Sequence, residues 1–210
     1  MNKIAVIDYG MSNLHSVVKA FQKVVDKNYS VYVANSEEKL KKASVVILPG
    51  QGAVKSCIDS LAINFPNLIN TISNKPFFGI CLGFQILFDK SFEDDGVDCL
   101  SIIKGEVKCF SSEIKKNLKV PHMGWNQITH NSDHLIWQNI PNETFFYFVH
   151  SYFAQACNKG DISSVTKYDI PFTSSVTKEN IFACQFHPEK SSKNGLKLIE
   201  NFIKWSEVEL

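Results

Sequence analysis

The sequence predicts an α/β domain: a mostly parallel central sheet flanked by helices, with antiparallel strands added to it. Three observations predict it. Up to about residue 90, short apolar β-rich runs alternate with segments of helical spacing, the rhythm of consecutive β-α units. The runs VVIL (45–48) and PFFGI (76–80) carry no charged or polar side chain, as strands buried on both faces must. After about residue 97 the texture changes to short strands separated by polar turns, which predicts antiparallel additions.

Residues 3–7, KIAVI, form the first strand and end at the turn Asp8-Tyr9-Gly10. From Asn13 to Val25, the residues Leu14, Val17, Val18, Phe21, Val24 and Val25 recur at helical spacing, with Ser12 or Asn13 as the N-cap. VYVA (31–34) is the second strand, EEKLKKA (37–43) a short polar helix and VVIL the third strand. PFFGI is the next strand, and LGFQILF (82–88) the helix after it. GEVKCF, FFYFVHSYFAQA, SSVT, PFTSSVT and IFACQF make up the antiparallel part. The last element, Ser192 to Trp205, is an amphipathic helix carrying Leu196, Ile199, Phe202 and Ile203. No repeat or linker divides the chain, so residues 1–210 are read as one domain, long enough for one sizeable core.

Hydrophobic residues make up 44% of the chain and charged residues 20%, a composition without disordered bias. The 22 basic and 21 acidic residues leave a formal charge of +1, which advertises neither a nucleic-acid nor a membrane surface. Every basic residue is lysine. Without arginine, an anionic ligand must be held by backbone N–H groups, hydroxyls or lysine, which speaks against a phosphorylated substrate bound wholly within this chain. The start, MNKIAVIDYG, is charged too soon for a signal peptide, and no run approaches ~18 consecutive apolar residues. Cys57, Cys81, Cys99, Cys109, Cys157 and Cys184 form no C-x-x-C pair. They read as reduced thiols of a cytoplasmic protein rather than a disulfide framework or a zinc site.

In an open parallel sheet, active groups gather at the carboxyl ends of the strands, and three segments lie there. Cys81 stands in Gly79-Ile80-Cys81-Leu82-Gly83, the strand-turn-helix pattern G-x-nucleophile-x-G with cysteine in place of serine. So tight a turn brings backbones together and leaves no room for a Cβ at the glycines. A helix start beside a thiol favours the thiolate, and the Leu82 N–H can face an oxyanion. A small buried core cysteine is the plain alternative. The second segment is QFHPEKSS (185–192), where His187 and Glu189 supply a base and a carboxylate to orient it, or else an ordinary surface pair. The third is LPGQGA (48–53), whose Gly50 and Gly52 flank Gln51 and allow a nest of N–H groups aimed at an anion. It is neither a G-K-[ST] phosphate loop nor a dinucleotide fingerprint.

The combination is more specific than its parts. A cysteine elbow, a later His-Pro-Glu and an upstream Pro-Gly-x-Gly resemble the class I, triad-type glutamine amidotransferases, a family of flavodoxin-like fold. DYGMSN (8–13), LPGQGA, GICLGFQ (79–85), PHMGWN (121–126), YFVHSY (147–152) and QFHPEKSS occur in order along the whole chain. Together they look like the glutaminase subunits of imidazole glycerol phosphate synthases, enzymes of histidine biosynthesis. PHMGWN and HPEKSS are the specific parts.

The resemblance implies a triad of Cys81, His187 and Glu189, with no cofactor. It implies a pocket framed by Gly50, with Gly52 and Leu82 as backbone donors to the oxyanion. Gln85, Glu93, Ser151 and Tyr152 would line it, Glu93 toward the α-ammonium of glutamine and Ser151 toward its α-carboxylate. It further implies a Gln51-Gly52 peptide that can rest with its N–H turned away, a flip that glycine makes cheap. Ammonia freed into water would be protonated and lost, and the resemblance supplies a (β/α)₈-barrel cyclase partner that captures it. Asn13, Met123, Trp125 and Lys190 match positions near that interface. Met123 and Trp125 are read in a turn that either anchors to the core or faces the partner.

Phe84 stands where methionine is usual in the family, and Ser12 and His15 where glycine and arginine are common. A related role, feeding a cyclase-like partner in amino-sugar amidination, stays open. So do an inactive regulatory scaffold and a cysteine hydrolase such as a peptidase. Of the other histidines, His150 is read as a core residue or one behind the site, His122 as shaping its loop, and His130 and His134 as solvent-side. The five cysteines other than Cys81 are read as packing groups.

Overall fold

The computed structural model describes residues 2–10, 14–113, 118–130 and 133–208. The first half runs β1 (Asn2–Ile7), α1 (Leu14–Val24), β2 (Tyr29–Ala34), α2 (Glu37–Lys41), β3 (Val45–Leu48), α3 (Val54–Asn64), α4 (Leu68–Asn74), β4 (Phe77–Ile80) and α5 (Leu82–Gln85). The strands β5 (Lys90–Ser91), β6 (Val97–Asp98) and β7 (Gly105–Cys109) follow, then α6 (Phe110–Glu113), β8 (His122–Gln127) and β9 (Thr129–His130). The chain ends with β10 (Phe145–His150), β11 (Tyr152–Ala156), β12 (Ile162–Tyr168), β13 (Ile170–Lys178), β14 (Ile181–Cys184) and α7 (Ser192–Ser206).

The main sheet has the order β2-β1-β3-β4-β14-β13-β11-β7-β5-β6, and its first five strands are parallel. Successive residues of these strands alternate between two apolar layers. Ile4, Val6, Val45, Ile47, Phe78 and Phe182 face α1 and α7, with Phe21, Phe202 and Trp205 in the same layer. Ala5, Ile7, Val46, Leu48, Phe77 and Ala183 face the other side, with Val54, Leu61, Leu68 and Ile72 of α3 and α4. Both faces are covered, which is why VVIL and FFGI contain nothing polar.

Four expectations are corrected. IFAC is not an antiparallel addition: β14 pairs antiparallel with β13 but parallel with β4, and so completes the parallel core. The helix expected over 82–88 ends at Gln85, and the chain then turns into the short β5. PHMGWN is not a turn. Residues 122–127 form β8, paired antiparallel with β10 in a separate two-stranded sheet, and Val120-Pro121 is cis. Helices α3 and α4 occupy a stretch to which the sequence assigned no element; α4, LINTISN, consists largely of weak helix formers and is held by burying Leu68, Thr71 and Ile72. Among the described residues no helix is long and apolar enough to cross a membrane. The N-cap expected at Ser12 or Asn13, and the interface role of Asn13, lie outside the described residues.

Candidate active site

Three neighbouring strands deliver the site. The carboxyl ends of β3, β4 and β14 lie side by side, so Gly50 and Gln51, Cys81, and His187 with Glu189 meet at one edge. Cys81 sits directly after β4 with φ 54° and ψ −103°, a conformation that side-chain-bearing residues rarely adopt. Its N–H continues the ladder to the Cys184 carbonyl at 2.8 Å, while the turn thrusts the side chain out of the sheet. The flanking glycines are obligatory. A Cβ on Gly83 would overlap the Leu48 carbonyl oxygen, and one on Gly79 would stand 2.5 Å from the Gly83 carbonyl oxygen.

His187 follows β14, its N–H bonded to the Tyr147 carbonyl at 2.9 Å and its own carbonyl accepting the Ser191 hydroxyl at 2.6 Å. Pro188 opens the 3₁₀ turn Pro188–Lys190, which returns the Glu189 carboxylate to the imidazole: Nδ1 to Oε1 is 2.8 Å. The Glu189 side chain is 1% exposed, so a carboxylate there needs this partner. A carboxylate only accepts, so Nδ1 carries the proton and Nε2 is left for Cys81. Burial is the largest influence on the imidazole and favours its neutral form. The Cys81 sulfur and Glu189 together outweigh it and push His187 up to about 10. The proton therefore stays on the imidazole when the sulfur is a thiolate.

Cys81 and His187 open into a cavity of about 330 Å³, also lined by Gly52, Leu82, Gln85, Glu93, Ser151, Tyr152 and Lys190. The volume suits a small molecule. Glu93 Oε2 accepts the Val54 N–H at 3.0 Å. Gln85 donates to the Tyr152 carbonyl at 2.8 Å. Ser151 stands where the chain leaves the two-stranded sheet for the main one, between β10 and β11. Gly50 does not line this cavity but closes a small pocket behind it with Glu189. Its carbonyl accepts the Leu82 N–H at 3.5 Å, so that expected oxyanion donor faces a carbonyl here.

Met123 and Trp125 are 62% and 52% exposed, on the outward side of β8. Strand alternation turns them to solvent and His122 inward, which removes the core-anchoring reading. Sequence reasoning used Gln51 only for its backbone and gave no role to Pro121, Val149 and Gln185. The first three line the cavity, and Gln185 lies beneath Cys81 with its amide 3.6 Å from Sγ. The signal for Gln185 was a polar residue closing the apolar run IFACQF. His150 both lines the cavity and is buried, its Nε2 2.9 Å from His122 Nδ1. His130 is corrected from solvent-side to buried: it stacks on Trp137 at 4.6 Å and its Nε2 donates to the Ile140 carbonyl at 3.1 Å. His134 is half-buried and accepts the Ile136 N–H at 3.1 Å. Cys157 is exposed rather than packed.

Comparison with known proteins agrees with this geometry. The family model described as glutamine amidotransferase class-I matches residues 5–205. An imidazole glycerol phosphate synthase subunit HisH from Hydrogenovibrio crunogenus is 45% identical, over 97% of this chain and 96% of its own. The subunit of the same name from Nitrosomonas europaea is 44% identical, over 98% of this chain and 100% of its own. Among solved structures, a glutamine amidotransferase from Thermotoga maritima shares the fold at a TM-score of 0.64 and 18% identity, over 99% of this chain and 84% of that one. A second glutamine amidotransferase structure matches at a TM-score of 0.70 and 12% identity, over 97% and 98%. By its family match and its full-length relatives, the chain belongs to the class I glutamine amidotransferase family, with the imidazole glycerol phosphate synthase glutaminase subunits.

Proposed function

We propose that the chain hydrolyses glutamine through Cys81, His187 and Glu189 and passes the ammonia to a (β/α)₈-barrel cyclase that makes imidazole glycerol phosphate and an aminoimidazole carboxamide ribotide. One observation carries this reading: a cysteine at a strained elbow and a carboxylate-held histidine open into the same cavity, opposite a carboxylate suited to an α-ammonium group.

Glutamine enters with its ammonium toward Glu93 and its carboxylate toward Ser151 and nearby backbone. The Cys81 thiolate attacks the side-chain amide carbon, forming an S–C bond and an oxyanion. As the oxyanion collapses, the C–N bond breaks, His187 gives its proton to the leaving nitrogen, and ammonia departs. Water then attacks the thioester, His187 takes its proton, the C–S bond breaks, and glutamate leaves. Throughout, Glu189 keeps Nδ1 protonated and the ring oriented.

The Gly50 carbonyl against the Leu82 N–H supports a slow ground state, because an oxyanion needs that N–H free. Partner binding would move the 50–52 peptides. Met123 and Trp125 on β8, and Lys190 at the cavity, are the surface on which the cyclase would act, with Asn13 joining them from outside the described residues. The six free cysteines fit a reducing cytoplasm.

The test is glutamate release from glutamine by the purified chain, alone and with a histidine-pathway cyclase carrying its ribonucleotide ligand. Stimulation by the cyclase, abolished in Cys81→Ala while the complex still forms, is the expected result. Near-wild-type turnover in Cys81→Ala overturns the triad. No turnover in either mixture points to the amino-sugar partner or to an inactive scaffold.

A further inference from the structure

We propose that Gln185 is the thiolate-holding amide of this site: its carboxamide N–H₂ donates to the Cys81 sulfur in the resting enzyme and again when the thioester breaks. The assignment rests on the reading of Cys81 as nucleophile and adds a residue to its machinery.

Gln185 is completely buried, immediately after β14, its N–H on the Ser174 carbonyl at 2.8 Å. Its Nε2 lies 3.6 Å from Cys81 Sγ, a normal distance for donation to sulfur. The polarity of this amide follows from the groups around it. Here the network forces it. The Tyr152 carbonyl can only accept, so Gln85 must turn its nitrogen toward it, at 2.8 Å. The same Gln85 nitrogen lies 2.9 Å from Gln185, which must therefore offer its oxygen. Only the Gln185 nitrogen is then left for the sulfur. The polarity of the contact on the nucleophile is thus set by a backbone carbonyl at the start of β11, relayed through two buried amides.

The chemistry follows. A thiolate at a buried elbow has lost water and needs donors. His187 is one, but its proton leaves with the ammonia and is replaced only from the attacking water. The Gln185 N–H does not transfer. It stays on the sulfur through both half-reactions, and its interaction strengthens whenever negative charge returns there, as it does when the tetrahedral intermediate of hydrolysis expels the sulfur.

The experiment is peptide-resolved alkylation of Cys81 by iodoacetamide at pH 6 and pH 9, with exposed Cys157 in the same sample as control, in wild type, Gln185→Glu and Gln185→Met. Gln185→Glu keeps an oxygen for Gln85 and turns another toward the sulfur, so Cys81 alkylation at pH 6 should fall about tenfold or more, one pH unit being tenfold. Gln185→Met fills the space without a donor and should fall by a smaller factor; it carries the comparison if the glutamate variant unfolds. Rates at pH 9 and at Cys157 should not move. Unchanged Cys81 rates in both variants, with glutaminase activity lost only in step with melting temperature, overturn the proposal and leave Gln185 a packing residue. A wild-type Cys81 that reacts at pH 6 no faster than Cys157 overturns the nucleophile reading together with it.

Discussion

At the scale of single residues, Glu93 is the carboxylate that the proposed function sets against the substrate's ammonium. One oxygen is tied to the Val54 N–H at the start of α3, and the side chain lines the cavity where an ammonium group would sit. Burial raises its carboxyl above the usual range, with the Val54 bond opposing. A raised carboxyl gains its proton sooner as pH falls, so glutamine binding should weaken on the acid side before ordinary carboxylates titrate. Glu93→Gln keeps an acceptor for Val54 but removes the charge. A charge-assisted hydrogen bond of about 1.5–3 kcal/mol corresponds to a rise in KM for glutamine of roughly 10- to 100-fold with kcat little changed. Initial rates against glutamine concentration decide it, and an unchanged KM would remove Glu93 from the substrate's ammonium. His187 makes the complementary point. Its imidazole is pushed up to about 10 against burial because of what surrounds it, so its base strength belongs to the site rather than to the residue.

Among elements, the elbow between β4 and α5 is the least forgiving. Gly83 lies against the backbone of β3, where a methyl group would overlap the Leu48 carbonyl oxygen. Gly83→Ala must therefore push α5 off the sheet, at a cost of about 1–3 kcal/mol, and displace Leu82 and Gln85 with it. Chemical denaturation and glutaminase assays should both register the loss, and a variant with unchanged stability would mean that the elbow can relax. GICLGFQ announces this geometry in part because one of its exclusions, of a Gly79 Cβ by the Gly83 carbonyl, lies within the motif itself. PHMGWN announces less: its Gly124, at φ 128°, and its Pro121 suggest a turn. Pairing with β10, register His122↔His150 to Gln127↔Phe145, makes it a strand. A strand partner 18 to 28 residues along the chain leaves no mark on the segment itself.

Over the whole molecule, the two-stranded sheet is tied to the active site by a buried histidine pair. His150 Nδ1 donates to the Tyr152 carbonyl at 2.7 Å, so its Nε2 accepts from His122 Nδ1 at 2.9 Å. The His122 ring lies between Tyr168 and Phe148, with centroids 4.2 Å and 4.9 Å away. Burial pushes His122 down to about 4 and His150 down to about 3. Both are neutral in the folded protein at pH 5, while in the unfolded chain both charge below about pH 6.5. Unfolding then takes up protons, so stability falls with acidification from about pH 6.5 toward pH 4, by up to about 1.4 kcal/mol per pH unit for each histidine. Denaturant midpoints between pH 7 and pH 5 should show this slope, and His122→Phe/His150→Leu should flatten it. An equal slope in the double variant would place the acid sensitivity elsewhere.

What the sequence by itself determined is what local sterics and chemistry write into a few adjacent residues. The buried strands VVIL and FFGI are legible because burial on both faces forbids polar side chains. The elbow, the His-Pro-Glu and the glycines of LPGQGA are legible because each chemistry demands particular residue types at short spacing. What only the tertiary structure decided depends on partners distant in sequence. The parallel seat of β14 beside β4 is one case. Without it, Cys81 and His187, 106 positions apart (187 − 81), would not share a cavity. The outward turn of Met123 and Trp125 is another, and so is the facing of the Gly50 carbonyl toward Leu82. Gln185 is the fourth: a buried amide takes its orientation from the groups that surround it, and Cys81, Gln85 and Tyr152 all lie far from it in the chain.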